Sequence, residues 1–209
     1  MKLHWAQEEF ILSTGRTIFH RQSNNLILAD LHLGKSTHFR KNGIGIPKSI
    51  AENDLKILAE SIKTFQPSKI IIAGDFFHAE ANTEIDLFLD WRLEFKNIKI
   101  IVVRGNHDRL KPALYSQCEI DLLEEFSLND SIKIVHESQS NSEYFQISGH
   151  LHPGIIISGK GKQRMRFPAY IFNEKNMILP AFSHFTGLFT NFNMKEFKYV
   201  GITSQGLFF

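Results

Sequence analysis

Apolar residues follow two alternating patterns along the chain. Continuous runs, Leu26-Ile27-Leu28-Ala29, Ile70-Ile71-Ile72-Ala73 and the segment from Ile98 to Val103, have the length and composition of strands buried on both faces. Between them Ala51, Leu55, Leu58, Ile62 and Phe65 recur at spacings of four and three, one stripe of a helix that Pro47 opens and Pro67 ends. A second helix is predicted from Thr83 to about Lys96, with the Thr83 hydroxyl as its cap and Glu84 and Asp86 suited to the dipole of its first turn. Strands at 25–30, 69–74 and 98–103 thus alternate with helices, and right-handed crossovers make of them a parallel core whose strand ends share one edge.

A hairpin over 10–14 and 17–21, turning at Gly15-Arg16, precedes this unit, and a loop holding Gly34, Gly43 and Gly45 with Lys35, Arg40 and Lys41 follows its first strand. After a short helix near 109–117 come closely spaced strands near 124–128, 131–136, 144–148, 154–158, 164–172, 176–180 and 196–202, where hairpins are expected in place of crossovers. Both halves fit one core in an α/β fold of four layers, an α-β-β-α sandwich of two mixed sheets flanked by helices. With no linker, repeat or low-complexity tract, a single domain over 1–209 is expected.

Composition narrows the class. A hydrophobic content of 43% and a charged content of 22% describe a globular chain, and a net charge of +2 is too small to argue for nucleic acid by itself. Cys118 is the sole cysteine, which excludes an intramolecular disulfide and a thiolate zinc cluster and suits a reducing compartment. The first residues lack the apolar core of a signal peptide, and no run approaches the roughly 18 apolar residues that span a bilayer. The expectation is a cytoplasmic protein without a membrane partner.

Chemistry gathers where the apolar runs stop. The first ends in Asp30-Leu31-His32, the second in Gly74-Asp75, the third in Gly105-Asn106-His107-Asp108, and Phe145-Gln146-Ile147-Ser148 in Gly149-His150-Leu151-His152. Asp30 and His32 are two apart, so a strand continuing through them would point both side chains the same way, as a ligand pair requires, and His150 and His152 repeat that spacing. Asp75 follows a glycine whose missing Cβ allows close approach to an ion, its two oxygens can bridge cations, and Asn106 adds a neutral oxygen. Oxygen and imidazole donors without thiolate favour Mn, Fe, Zn or Ni, and paired ions are the usual clamp for a phosphoester, with Mn the first choice. Singly, Asp30 also suits a turn cap and His150 a hydrogen-bonded core histidine; four such strand ends together favour the metal reading. His136 ends another apolar run and is a weaker candidate by spacing. His4, His20, His38, His78 and His184 have no partner spacing and default to surface or hydrogen-bonded roles, His78 being nearest to an exception. The alternating Lys160, Lys162, Arg164 and Arg166 read as a solvated face in preference to a phosphate track.

In this order the motifs Asp30-Leu31-His32, Gly74-Asp75, Gly105-Asn106-His107-Asp108, His136 and Gly149-His150-Leu151-His152 resemble those of the calcineurin-like metallophosphoesterases. The resemblance implies one metal held by Asp30, His32, Asp75 and His152, a second held by Asp75, Asn106, His136 and His150, a catalytic role for His107 on the leaving-group or transition-state oxygen, and support from Asp108. Ala29-Asp30-Leu31-His32-Leu33-Gly34-Lys35, Arg40, Pro47, Arg166-Phe167-Pro168-Ala169, Leu179-Pro180-Ala181-Phe182 and Phe185-Thr186-Gly187 are similar to the ligase-associated DNA-damage-response phosphoesterases, although Ser183 and Leu188 stand where glycines are expected. That branch implies DNA as substrate and ligase-associated repair proteins as partners. The expected function is hydrolysis of phosphodiesters with two divalent ions, Lys35, Arg40 and Arg109 meeting substrate phosphates. Its rivals are a phosphatase or diesterase for a small molecule, and a metal-stabilised repair scaffold without activity, which would not need His107 at an open edge.

Overall fold

The structure, a computed structural model, describes all residues except 48, 79–82, 160 and 162, and the side chains of those described except Lys41 and Thr83. The expected Thr83 cap and the lysines at 41, 160 and 162 therefore lie outside the described side chains. Seven strands form the first sheet in chain order: β1 (Lys2–Trp5), β2 (Glu8–Leu12), β3 (Ile18–His20), β4 (Asn25–Leu28), β5 (Lys69–Ile72), β6 (Lys99–Val103) and β7 (Ile120–Leu123). The first four are antiparallel neighbours, and β4 to β7 are parallel. The helices are α1 (Lys35–Lys41), α2 (Ser49–Phe65), α3 (Thr83–Glu94) and α4 (Pro112–Gln117). None of the described helices is long and apolar enough to cross a membrane.

Burial of the central strands on both faces explains their unbroken apolar runs. Leu26, Leu28, Ile70, Ile72, Ile100 and Val102 face the helices, packing on Ala51, Leu55, Leu58 and Ile62 of α2. The alternate residues Ile27, Ala29, Ile71, Ala73 and Val103 enter a second core between the sheets. Each fully buried Leu or Ile contributes about 1.5–3 kcal/mol, which makes these alternating faces the dominant determinant of register.

The second sheet contains β8 (Phe126–Ser127), β9 (Ile132–Ile134), β10 (Phe145–Ser148), β11 (Gly154–Ser158), β12 (Arg164–Phe172), β13 (Asn176–Ile178), β14 (Lys198–Thr203) and β15 (Gly206–Phe208), in the order β15-β14-β12-β13-β10-β9-β8 with β11 paired to β12. The expectation of hairpins throughout this half needs correcting, because β10 lies parallel to both β9 and β13. Two mixed sheets packed face to face are as expected. The described helices lie on the first sheet, and the outer face of the second is covered by side chains of its own strands with Phe192 and Phe197 from the coil before β14. Four short elements escape the apolar pattern. β1 is an edge strand whose only buried residue is Trp5, α1 has no apolar stripe, and β7 and β15 are half-exposed.

A buried hydroxyl links the second sheet to the first. The fully buried Tyr170 of β12 places its hydroxyl between the carbonyl oxygens of Ser13, at 2.7 Å, and Thr17, at 2.8 Å, in the turn joining β2 to β3. Its one proton serves both acceptors, and burial raises the phenol above its ordinary pKa. Tyr170→Phe removes a donor shared by two carbonyls that each keep a backbone amide, from Arg16 to Ser13 and from Ser13 to Thr17, and is expected to lower stability by about 0.5–1.5 kcal/mol while leaving divalent-metal uptake at the wild-type level. Urea unfolding and metal analysis check this; an unchanged midpoint would contradict it.

Candidate metal centre

The polar motifs meet at one edge because the C-terminal ends of β4, β5, β6 and β10 converge there, joined by a parallel bridge from Ala29 to Ala181. The ligand pairs do not continue their strands, as the spacing argument assumed. β4 stops at Leu28, and Asp30, His32, Asp75, His150 and His152 all have left-handed backbones, with φ of 55°, 51°, 52°, 68° and 48°. Such conformations cost non-glycine residues on the order of 1–3 kcal/mol each and persist only where surrounding contacts over-determine them. Those contacts are present. The amides of Asp30, His32 and Leu33 donate to the carbonyls of Gly74, Asp75 and Phe76, zipping the loop after β4 to the loop after β5, and the His150 amide donates to the Asp30 carboxylate.

Asp30 and Asp75 are buried carboxylates at the centre of this arrangement. Ligand atoms of Asp30, His32 and His152 lie within 4.8 Å of one another, as do those of Asp30, Asp75 and His136. The Asp75 Oδ2 atom is 4.0 Å from His32 Nε2 and 3.7 Å from His136 Nε2, and so stands between the two groups. Imidazole nitrogens face each other at 3.2 Å between His32 and His152 and at 3.1 Å between His136 and His150. His136 donates from Nδ1 to the Ala73 carbonyl, which leaves its Nε2 lone pair aimed inward. Burial pushes His32 far below the usual imidazole range, with Lys35 and neighbouring histidines acting in the same direction, and its buried Nδ1 has no hydrogen-bond partner among the described residues. Imidazole nitrogens crowded on buried carboxylates are the donor set of a divalent cation, whose ligands at 2.0–2.2 Å stand about 3–3.5 Å apart.

Asn106 is exposed, with its amide nitrogen 3.4 Å from His150 Nδ1; turning the amide by 180° presents its oxygen there instead. Gly74 serves a different purpose from the close approach to an ion expected of it. At φ +86° it makes room for His136, whose Nδ1 would lie 2.0 Å from an added Cβ. Ser183 and Leu188 stand outside the left-handed residues, so the absence of glycine there carries no backbone strain.

The loop after β6 carries Asp108 and His107. Asp108 is buried, and its carboxylate accepts from the amides of Phe76, Phe77 and Gly105 and from the Tyr115 hydroxyl. Burial raises its pKa, and the three amide bonds oppose that shift. Asp108 therefore staples two loops together as a positioning residue. His107 donates its backbone amide to Asp75 Oδ1 at 2.8 Å and leaves its ring exposed over the site, 5.5 Å from the His32 ring and 4.6 Å from the ring of His78. Sequence spacing missed His78, which also packs edge-on to His32 and is lowered to a pKa of about 4 by burial and by the nearby His107, Lys35 and His38. Its position three residues after Asp75, in the same loop, was the available signal. The other defaults hold: His20 bonds Ser23, His184 bonds Asp54, and His4 and His38 are exposed.

The expected phosphate-binding cations are placed unequally. Lys35 is half-buried, with desolvation lowering its pKa and the attraction of Asp30 and Asp75 opposing this, so its ammonium lies in the field of the acidic pair. Arg40 is committed elsewhere, to Thr37 and to the buried Glu84, whose carboxylate also receives the Gly34 amide and the hydroxyls of Ser36 and Thr37. Glu84 thereby fixes the start of α1 and the turn that follows His32, a role its place in the first turn of α3 did not reveal. Arg109 is exposed and donates from Nε to the Asn106 carbonyl.

Comparison with known proteins agrees with this geometry. The family model for calcineurin-like phosphoesterases matches residues 25–184. Among solved structures, a Pseudomonas putida nuclease, MPE, superposes with a TM-score of 0.82 at 25% identity over 96% of each chain. No curated protein sequence matches.

Gly105 tests the interlock directly. An added Cβ would lie 2.2 Å from the Asp75 amide nitrogen and 2.3 Å from its Oδ1, whereas at Gly187 nothing lies within 4 Å. Gly105→Ala is expected to displace Asp75 and weaken Mn uptake by about tenfold or more, the free-energy equivalent of a little over 1 kcal/mol, with Gly187→Ala unaffected. Metal titration followed by circular dichroism checks both; wild-type uptake by Gly105→Ala would refute the packing explanation.

Proposed function

The chain belongs to the calcineurin-like phosphoesterases and is a metal-dependent hydrolase, and from this premise we propose that it hydrolyses phosphodiester bonds of nucleic acid with two divalent ions, Mn first among them, in a DNA-repair setting that includes ligase-associated partners. The position of Asp75 Oδ2 between His32 and His136 is the observation that carries the dinuclear reading. In it Asp30, His32, Asp75 and His152 hold one ion, and Asp75, Asn106, His136 and His150 the other. Divalent cations bound there supply Lewis acidity toward the phosphoryl oxygens and the attacking water.

The side chains divide the remaining work. His107, exposed at the open face and anchored through its backbone to Asp75, holds a proton at the departing oxygen. Asp108 keeps that loop in register with the Asp75 loop. Lys35 meets a non-bridging phosphate oxygen, its ammonium already drawn toward the acidic pair. His78 packs on His107 and restricts its ring. The nuclease neighbour supports nucleic acid as the substrate class.

Asp75→Asn is expected to lose the metal pair and the activity together, while His107→Gln retains both ions and slows DNA cleavage by about 10²–10⁴-fold. The loss on bis-(p-nitrophenyl) phosphate should be smaller, since its phenolate leaves without a proton. Metal analysis and rates in Mn with both substrates are the measurements. Full turnover by Asp75→Asn with two bound ions would end the dinuclear reading, and loss of metal from His107→Gln would remove the role given to that ring.

A further inference from the structure

The second sheet sends an arm past the metal centre. β11 and β12 pair as a two-stranded ribbon from Gly154↔Pro168 to Ser158↔Arg164, and β12 joins β14 only from Ala169 onward. Topology fixes the direction of this ribbon. β12 is antiparallel to β13, β13 is parallel to β10, and β10 delivers the loop carrying His150 and His152, so the N-terminal half of β12 leaves the sheet at the edge where the candidate ligands lie. Parity fixes its face. Tyr170 and Phe172 enter the core between the sheets, so Arg164 and Arg166, on the same alternation, lie on the face turned toward the first sheet and its loops.

Both arginines are exposed, and neither guanidinium has a hydrogen bond or ion pair among the described residues. Every other arginine is engaged: Arg16 with Ala181 and Ser183 carbonyls, Arg21 with Glu9, Arg40 with Glu84, Arg92 with Glu119, Arg104 with Glu124, and Arg109 with the Asn106 carbonyl. Local acidity does not compete for them. From Tyr144 to Lys195 the sequence has a single carboxylate, Glu174, which follows β12 at the opposite end of the strand. Ile156, paired with Arg166 and 39% exposed, adds an apolar contact on the same face. The alternation that read as a solvated face in the sequence is thus a row of uncommitted cations beside the site.

We propose that the β11–β12 ribbon is a nucleic-acid arm, in which Arg164 and Arg166 grip the phosphodiester backbone beyond the scissile phosphate. The inference rests on the reading of the centre as a nucleic-acid phosphodiesterase. Side chains two apart on a strand are about 6.8 Å apart, so the row extends along the ribbon, away from the ligand loops. Only a substrate with further phosphates outside the centre can use it; a small phosphoester ends within the ligand loops.

The test compares Arg164→Ala/Arg166→Ala with Arg21→Ala/Lys99→Ala, which removes the same charge from exposed positions at the opposite edge. For each, kcat/KM is measured in Mn on a labelled unstructured oligonucleotide across a salt titration, and on bis-(p-nitrophenyl) phosphate. The ribbon variant is expected to lose about tenfold or more on the oligonucleotide relative to the aryl diester, chiefly through KM, with a log-log salt slope shallower by about 1.4, or about 0.7 per contact for a single strand. The control variant should match wild type on both substrates. Wild-type oligonucleotide kinetics in the ribbon variant, or equal losses on both substrates, would overturn the ribbon and leave the site's reading intact. Wild-type protein that cleaves the aryl diester and no oligonucleotide would instead overturn the nucleic-acid reading itself, and the ribbon with it.

Discussion

Two carboxylates out of water govern this molecule. Asp30 and Asp75 are buried at the ends of adjacent parallel strands, and removing an unpaired carboxylate from water costs several kcal/mol even after relaxation. A hydrophobic core by itself would expel them. They are retained because backbone amides of His107 and His150 point at their oxygens, Lys35 supplies a positive field, and imidazole nitrogens crowd around them. The proposed cations complete that compensation, which makes metal binding and local order parts of one equilibrium.

Holding the pair requires the chain to accept local conformations it would otherwise avoid. Left-handed residues cluster on the proposed ligands, and loop-to-loop hydrogen bonds enforce them. Asp108 belongs to this enforcement: its carboxylate collects amides from two loops, and Tyr115 closes the network from α4. Glu84 does the equivalent for the turn after His32, reaching from α3 to the start of α1. Rigid strands alone would not aim these side chains. Buried polar staples, each satisfied by several donors, give the site its precision.

Cations obey a related division. Most arginines hold carboxylates or carbonyls and serve the fold, and Lys35 is drawn inward by the acidic pair. Among the arginines, the two that remain uncommitted lie on the projecting ribbon, where a charge is useful only to something outside the protein. Net charge therefore said little about partners, because the two free arginines share one ribbon and are averaged away over the chain.

The central strands, the two longer helices and the proposed ligands were legible in the sequence, because two-faced burial demands unbroken apolar runs and because Asp, His and Asn at their ends interrupt those runs abruptly. Their common edge followed from crossover handedness. Tertiary structure alone decided how the pairs converge: Asp30 and His32 point together through left-handed turns pinned by the Gly74 and Asp75 carbonyls, partners more than forty positions away. It also separated like from like. Spacing cannot tell Arg40, bound to Glu84, from Arg166, which is exposed and unpaired, nor His78, packed on His107, from the surface His4. A residue's type and local pattern fix what it can donate or bury; which neighbour receives it depends on contacts between segments distant in the chain, and those exist only once the sheets have packed.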